Sequence, residues 1–301
     1  MRLGYKQWRI PMEHLTELER QIQNRWADGY DAIFYERPVG IGNLRDFREY
    51  LDRKITQRFV DCTVAERKQL RILDTGCGTG QLLSQLKSDG FTNLYGLDVS
   101  EKMVQIASQK CPTISFTIGP FDSVPLPIGQ FDVIMGTEWL HHVPILRPVF
   151  QRAYDLLAPG GFFCAMEPHN DWLFQQVGLR QSVMTLLFGP LLHFVGFKNR
   201  NKIQALSELE GDRGYTSWHR HLSVRELREA FEGIGFEVEM ERRHTLVTYF
   251  AGQLFNSRAD RMLYGLLRWL DRNMIDHMGR GGYLFLCATK PRHPRSGIRG
   301  A

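Results

Sequence analysis

Leu73-Asp74-Thr75-Gly76-Cys77-Gly78-Thr79-Gly80 lies between a short apolar run (Leu70, Ile72, Leu73) and a helix-like pattern of Leu82, Leu83 and Leu86. That switch from strand-like to helix-like patterning puts the stretch on a strand-to-helix turn. Glycines at such a turn let the backbone bend sharply and let a ligand lie against bare peptide. The helix beginning near Gly80 points free N–H groups at the same place. The spacing is Gly-x-Gly-x-Gly, and Gln81 stands where a dinucleotide fingerprint has its last glycine.

Working outward, Asp74 falls at the strand's end, where a pyrophosphate would be repelled and a cationic ligand welcomed. A second strand, Leu94-Tyr95-Gly96-Leu97, ends at Asp98, placed to accept both hydroxyls of a ribose. A further strand, Phe131 to Gly136, runs into Thr137-Glu138-Trp139-Leu140-His141-His142. Ser100 is a natural N-cap for a helix through Lys110, with Glu101 at its positive end. Strand and helix alternate from Arg71 to Met166, which predicts a parallel sheet with right-handed crossovers. Ligands of such sheets bind at the carboxyl ends of the strands, and Gly76, Asp98, Glu138 and Glu167 all fall there.

Together these residues resemble the class I S-adenosylmethionine-dependent methyltransferases of small-molecule type. The resemblance covers roughly residues 70–167, with a weaker echo in 235–290. It includes Leu157-Ala158-Pro159-Gly160-Gly161, similar to the family's turn into its fifth strand, here Phe162 to Met166. It implies a Rossmann-like α/β fold, a doubly wound seven-stranded sheet that is mostly parallel with an antiparallel last strand, plus helical cap insertions. It also implies S-adenosylmethionine as cofactor, with S-adenosylhomocysteine as product. Carried over by position, Gly76, Cys77, Gly78 and Gly80 line the methionine and ribose part, Asp74 helps hold the methionine ammonium, and Asp98 binds the ribose. Val99 and Met103 pack near adenine, and Thr137 borders the cofactor. Where many relatives place an aspartate on the adenine amino group, this chain reads Gly119-Pro120-Phe121-Asp122. Adenine recognition then falls to the Phe121 backbone N–H or to Asp122 with a shifted loop. Tyr30-Asp31-Ala32-Ile33-Phe34-Tyr35 resembles the family's N-terminal lid, so Tyr30 and Tyr35 either close over the sulfonium or pack as ordinary helix residues.

A chain of 301 residues suits one large domain with a sizeable cap, and 43% hydrophobic with 24% charged residues is ordinary for a globular protein. The five cysteines are scattered with no Cys-x-x-Cys pair, which argues against a disulfide framework and fits a reducing cytosol. Residues 1–15 carry charges throughout and lack a signal-peptide core. The apolar stretch from Val183 to Phe197 is broken by Gly189, Pro190 and His193 and is too short to span a bilayer. The expected location is the cytoplasm. The net charge of +5 is dispersed apart from the tail, so no nucleic-acid partner is expected.

The sequence divides into an N-terminal helical lid (1–69), a core (70–167 and 233–290), a helical cap insertion (168–232), a second helical insertion (245–280) and a basic, disordered tail (291–301). Within 1–69, helices are expected over Met12 to Arg25 and Leu44 to Phe59. Both insertions are rich in aromatic and leucine residues. They read as extensions of the core, as a cap over an apolar substrate cavity, or as a surface that takes a lipid-like substrate from a membrane.

Methyl transfer from a sulfonium is an in-line displacement, in which alignment alone is worth roughly 7–11 kcal/mol. A protein base is needed only for a hydroxyl or acidic-carbon acceptor. The candidates for that role are His169 at the end of the fifth strand, then His142, His141 and Glu138. Glu138, His141 and His142 have metal-compatible spacing, but no second matching motif appears, and no metal is expected. Trp139, Trp172, Trp218, His219 and Tyr249 are candidate substrate contacts. The leading reading is O- or C-methylation of an apolar small molecule. A nucleic-acid or protein methyltransferase is disfavoured because Gly136-Thr137-Glu138-Trp139 replaces the Asn/Asp-Pro-Pro-aromatic motif of amino-methylating nucleic-acid enzymes. A non-methylating cyclase, lyase or cofactor-binding scaffold is the third reading, because fold does not fix function.

Overall fold

Neighbouring residues of the central strands point to opposite faces of one sheet, and both faces are apolar. In the computed structural model of the protein, residues 12–36, 38–168, 222–243 and 283–292 are described, together with Gly265 and Trp269. The sheet has seven strands in the order β3-β2-β1-β4-β5-β7-β6. They are β1 (Ile72–Thr75), β2 (Leu94–Asp98), β3 (Ser115–Ile118), β4 (Phe131–Thr137), β5 (Leu157–Pro168), β6 (Glu237–Arg243) and β7 (Tyr283–Thr289). The pairings among β1 to β5 are parallel, and β7 runs antiparallel to both β5 and β6. The predicted doubly wound sheet with an antiparallel last strand is therefore present. The fifth strand begins at Leu157, earlier than expected, because Leu157 already pairs with Phe131 before a register shift.

The helices are α1 (Met12–Trp26), α2 (Pro38–Arg58), α3 (Val64–Arg67), α4 (Gln81–Ser88), α5 (Glu101–Lys110), α6 (Leu146–Leu156) and α7 (Val224–Glu232). Ser100 caps α5 as its position predicts, accepting the Met103 N–H at 3.1 Å. On one face, Val133, Met135, Phe162, Cys164 and Phe285 join Phe47, Tyr50, Leu51 and Ile55 of α2 in one buried cluster. On the other, Ile134, Phe163, Ala165 and Leu286 join Phe150 of α6 and Phe231 of α7. Each such side chain contributes about 1.5–3 kcal/mol by leaving water.

Two boundaries differ from the sequence reading. The α2 helix, grouped with the lid, forms a layer of the core: Tyr50 packs edge-on against Phe285 at 5.2 Å, and Arg53 and Lys54 reach Glu241 and Glu239 on β6, each at 2.7 Å. The α7 helix, grouped with the 168–232 cap, stacks Phe231 on Phe150 with centroids 3.7 Å apart. The rest of that cap, the 245–280 insertion apart from Gly265 and Trp269, and the tail from 293 lie outside the described residues. Among the described residues no helix is long and apolar enough to cross a membrane.

Candidate cofactor and catalytic site

The turn after β1 holds three glycines in the left-handed region, with φ of +67° at Gly76, +52° at Gly78 and +74° at Gly80. At Gly76 an added Cβ would also come within 2.8 Å of Trp139 Cβ, so bare backbone is needed there twice over. The loop is tied to β2: Cys77 N–H donates to Leu97 O at 3.0 Å, and Gly78 N–H donates to Asp98 Oδ2 at 2.9 Å. Asp98 Oδ1 accepts from Ser100 N–H at 2.9 Å. Burial pushes the Asp98 carboxyl up to about 6, against the pull of these backbone donors.

Asp74 is only 2% exposed. Its carboxyl is pushed well above the ordinary range by burial, with the charge of Asp98 adding to the effect and no hydrogen bond opposing it. A buried acceptor without a donor is costly, and the cost is relieved by a cationic or hydrogen-bonding guest. Over this crevice stand Tyr30 and Tyr35, whose rings pack at 64° with centroids 5.6 Å apart. Tyr35 closes a π turn, Asp31–Tyr35, and Tyr30 immediately precedes it, after α1 and a 3-10 turn, Ala27–Gly29. A Cβ on Gly78 would lie 3.9 Å from Tyr30 Cε1 and 4.0 Å from the Tyr35 hydroxyl, so the rings cover the bare peptide face. Burial raises both phenols.

A family model described as a methyltransferase domain matches residues 72–161, from β1 through the glycine loop into β5. Residues 72–161 therefore carry the pattern of a methyltransferase domain. The chain is 31% identical over 122 residues to an uncharacterized methyltransferase of Anoxybacillus flavithermus, covering 40% of this chain and 53% of that one. It is 31% identical over 97 residues to the 27-O-demethylrifamycin SV methyltransferase of Amycolatopsis mediterranei, covering 30% of this chain and 36% of the relative. The chain thus spans about half the length, or less, of these two curated relatives. The phosphoethanolamine N-methyltransferase 2 of Haemonchus contortus, solved with phosphomonomethylethanolamine and S-adenosylhomocysteine, has a TM-score of 0.53 at 15% identity. That likeness, over 92% of this chain and 60% of that one, is one of fold.

The crevice fits S-adenosylmethionine. No donor among the described residues reaches Asp74, Asp98 stands at the end of β2, and the Gly78 peptide, without a side chain, is covered only by Tyr30 and Tyr35 among the described residues. Other expected cofactor residues differ in what they present. Met103 is 1% exposed on α5, and Val99 and Thr137 are half-buried at the ends of β2 and β4. The Cys77 side chain joins the α2-side core, its thiol pushed up by burial while Sγ donates to the Gly78 carbonyl at 3.8 Å. Phe121 is buried and packs edge-on against Trp139 at 5.7 Å, whereas Asp122 is exposed.

At the end of β4 the chain takes a strained step. Glu138 has φ +55°, the one non-glycine residue with positive φ among those described. Its N–H donates to Met166 O at 2.8 Å, and Oε1 accepts from the Tyr283 hydroxyl at 3.0 Å. Burial raises the Glu138 carboxyl, partly offset by His141 and by Tyr283. A 3-10 turn, Leu140–His142, follows. Glu167, fully buried at the end of β5, holds this turn: Oε1 accepts the N–H groups of Trp139 (3.0 Å) and Leu140 (2.8 Å), and Oε2 lies 2.8 Å from His141 Nδ1. Burial works against the charged His141 ring, but the hydrogen bond and charge of Glu167 outweigh it and raise the imidazole above its usual value. His142 stacks against His141 with centroids 4.1 Å apart and brings Nδ1 within 3.2 Å of Glu19. Glu167 was legible as a strand-end acid but carried no assigned role, because its partners are set by a turn 27 residues away in sequence. His169, Trp172, Trp218, His219 and Tyr249 lie outside the described residues.

Proposed function

We propose that the chain methylates an apolar small-molecule acceptor at a hydroxyl oxygen or an acidic carbon. The observation that carries this reading is the His141–Glu167 pair at the carboxyl end of the sheet, 2.8 Å apart. An amine needs no base beyond its own lone pair, whereas a hydroxyl or acidic carbon must lose a proton as its new bond forms. A Glu167 carboxylate that accepts at both oxygens selects the His141 tautomer with the proton on Nδ1, which leaves Nε2 as the basic nitrogen of the neutral ring.

When bound, S-adenosylmethionine supplies an electrophilic methyl group on a sulfonium. Asp98 accepts its ribose hydroxyls, and Asp74 balances its cationic head. Tyr30 and Tyr35 turn ring faces toward positive charge and keep water out. His141 takes the acceptor's proton at Nε2, and Glu167 orients the ring and stabilises the imidazolium. Trp139 borders the acceptor, with Trp172, Trp218, His219 and Tyr249 as further contacts from the insertions. One relative's name, that of the rifamycin enzyme, supports an oxygen acceptor on a natural product.

The test is to incubate the purified protein with methyl-labelled S-adenosylmethionine and a host cell extract and then partition the label. Label in the organic phase is the expected result. Label confined to acid-precipitable material would mean a macromolecular acceptor and would overturn the reading.

A further inference from the structure

The turn that carries the two tyrosines is tied to the glycine loop by one acidic residue. Asp31 opens the π turn, its carbonyl accepting the Glu36 N–H at 2.8 Å. Its carboxylate meanwhile leaves that turn. Oδ1 accepts the hydroxyl of Thr79, the residue between Gly78 and Gly80, and Oδ2 accepts Lys110 Nζ at 2.6 Å. Lys110 lies at the end of α5 and also donates to Gln81 Oε1 at 3.1 Å, at the start of α4. The side chains of Lys110 and Asp31 are 24% and 31% exposed, and Thr79 is fully buried, so solvent screens the cluster only in part.

We propose that Asp31 is a positioning residue for the cofactor, latching Tyr30 and Tyr35 over the glycine loop and so setting how long the cofactor stays bound. The inference rests on the cofactor reading of this crevice. The geometry gives the latch a lever. Tyr30 precedes Asp31, and Tyr35 closes the same π turn, so one carboxylate fixes both rings relative to Thr79. The rings rest against the Gly78 peptide, so a ligand reaches or leaves that peptide only when the turn lifts, and lifting it breaks the bonds to Thr79 and Lys110 together. The end of α1 is anchored separately. Asn24 Oδ1 accepts the Ser100 hydroxyl at 2.6 Å and the Lys102 N–H at 3.2 Å. Loss of Asp31 therefore frees the turn and leaves α1 docked.

The test uses the full chain with S-adenosylhomocysteine as probe, its dissociation rate followed by displacement with excess S-adenosylmethionine. Wild type, Asp31→Ala, Lys110→Met and the double variant are compared. Dissociation from Asp31→Ala should be faster by about tenfold, the equivalent of one lost charge-assisted hydrogen bond. Lys110→Met should give a smaller increase, and the double variant should be no faster than Asp31→Ala, because both act through one latch. Should Asp31→Ala fail to fold, as judged by circular dichroism, Lys110→Met still gives the rate. Wild-type dissociation from both single variants would overturn the latch, as would effects that multiply in the double variant. Failure of the wild-type protein to bind S-adenosylhomocysteine would instead bring down the cofactor reading, and the latch with it.

Discussion

Asp74 is buried at the end of β1, and the influences on its carboxyl include no hydrogen bond. In the ligand-free protein it stores unfavourable energy that a cationic guest releases. Asp74→Asn should therefore stabilise the ligand-free fold above neutral pH, by roughly 1–3 kcal/mol in a urea titration. The same variant should bind S-adenosylhomocysteine at least tenfold more weakly by calorimetry. A variant that loses stability and keeps affinity would sink the assignment. Glu167 is tested differently, because Gln at that position can still accept from Trp139 and Leu140 N–H and so keep the turn. What it loses is the charge that raises His141, and its amide N–H would donate to Nδ1 where Glu167 Oε2 now accepts, shifting the ring proton to Nε2. In the wild type the activity limb due to His141 should rise with pH above the imidazole's ordinary value. In Glu167→Gln that limb should move to lower pH, with kcat down about tenfold to a hundredfold. An unmoved limb would exclude His141 as the base.

At the scale of elements, α7 and α2 are where sequence and structure part. Phe231→Ala removes a fully buried ring stacked on Phe150 and should cost about 3–5 kcal/mol in urea unfolding. A cost below 1 kcal/mol would return α7 to a peripheral cap. The amphipathic pattern from Val224 to Phe231 marked a helix with one apolar face, but that period is the same whether the face meets a substrate cavity or a sheet. Only its partner distinguishes the two, and Phe150 lies far away in sequence. The strands were easier, because alternation on both faces and the glycine spacing are local. Gly76, Gly78, Gly80 and Asp98 could be found for the same reason. Glu167 and Asp31 could not be assigned roles, since each acts through a partner on another element. Cys77 could be placed in the loop, but that place said nothing of its side chain's packing in the α2-side core.

For the whole molecule, several buried groups shift the same way. Burial raises the carboxyls of Asp74, Asp98 and Glu138, and Glu167 raises His141. A group whose folded pKa exceeds its unfolded value stabilises the fold at low pH, and that contribution is lost as pH rises through the folded value. For Asp98 the loss runs from 3.8 to about 6. Glu66, Glu101 and Glu239 are held below their ordinary value, so they weaken the fold only at more acidic pH. The melting temperature of the ligand-free protein should accordingly fall as pH rises from about 5 to about 7.5. A flat or rising profile over that range would contradict the buried-carboxylate picture. The docking of α2 on the far edge of the sheet has a consequence for biosynthesis. Arg53 meets Glu241 across 188 positions of sequence, and Tyr50 packs on Phe285, which lies further downstream still. At 5–20 residues per second, a ribosome needs about 10–40 s to add the intervening chain. Throughout that interval the Phe47, Tyr50, Leu51 and Ile55 face of α2 has only the earlier strands β1, β4 and β5 to rest on, and its Phe285 contacts are missing. A nascent chain stalled before β7 would display that uncovered part of the face to chaperones and to its neighbours on the polysome.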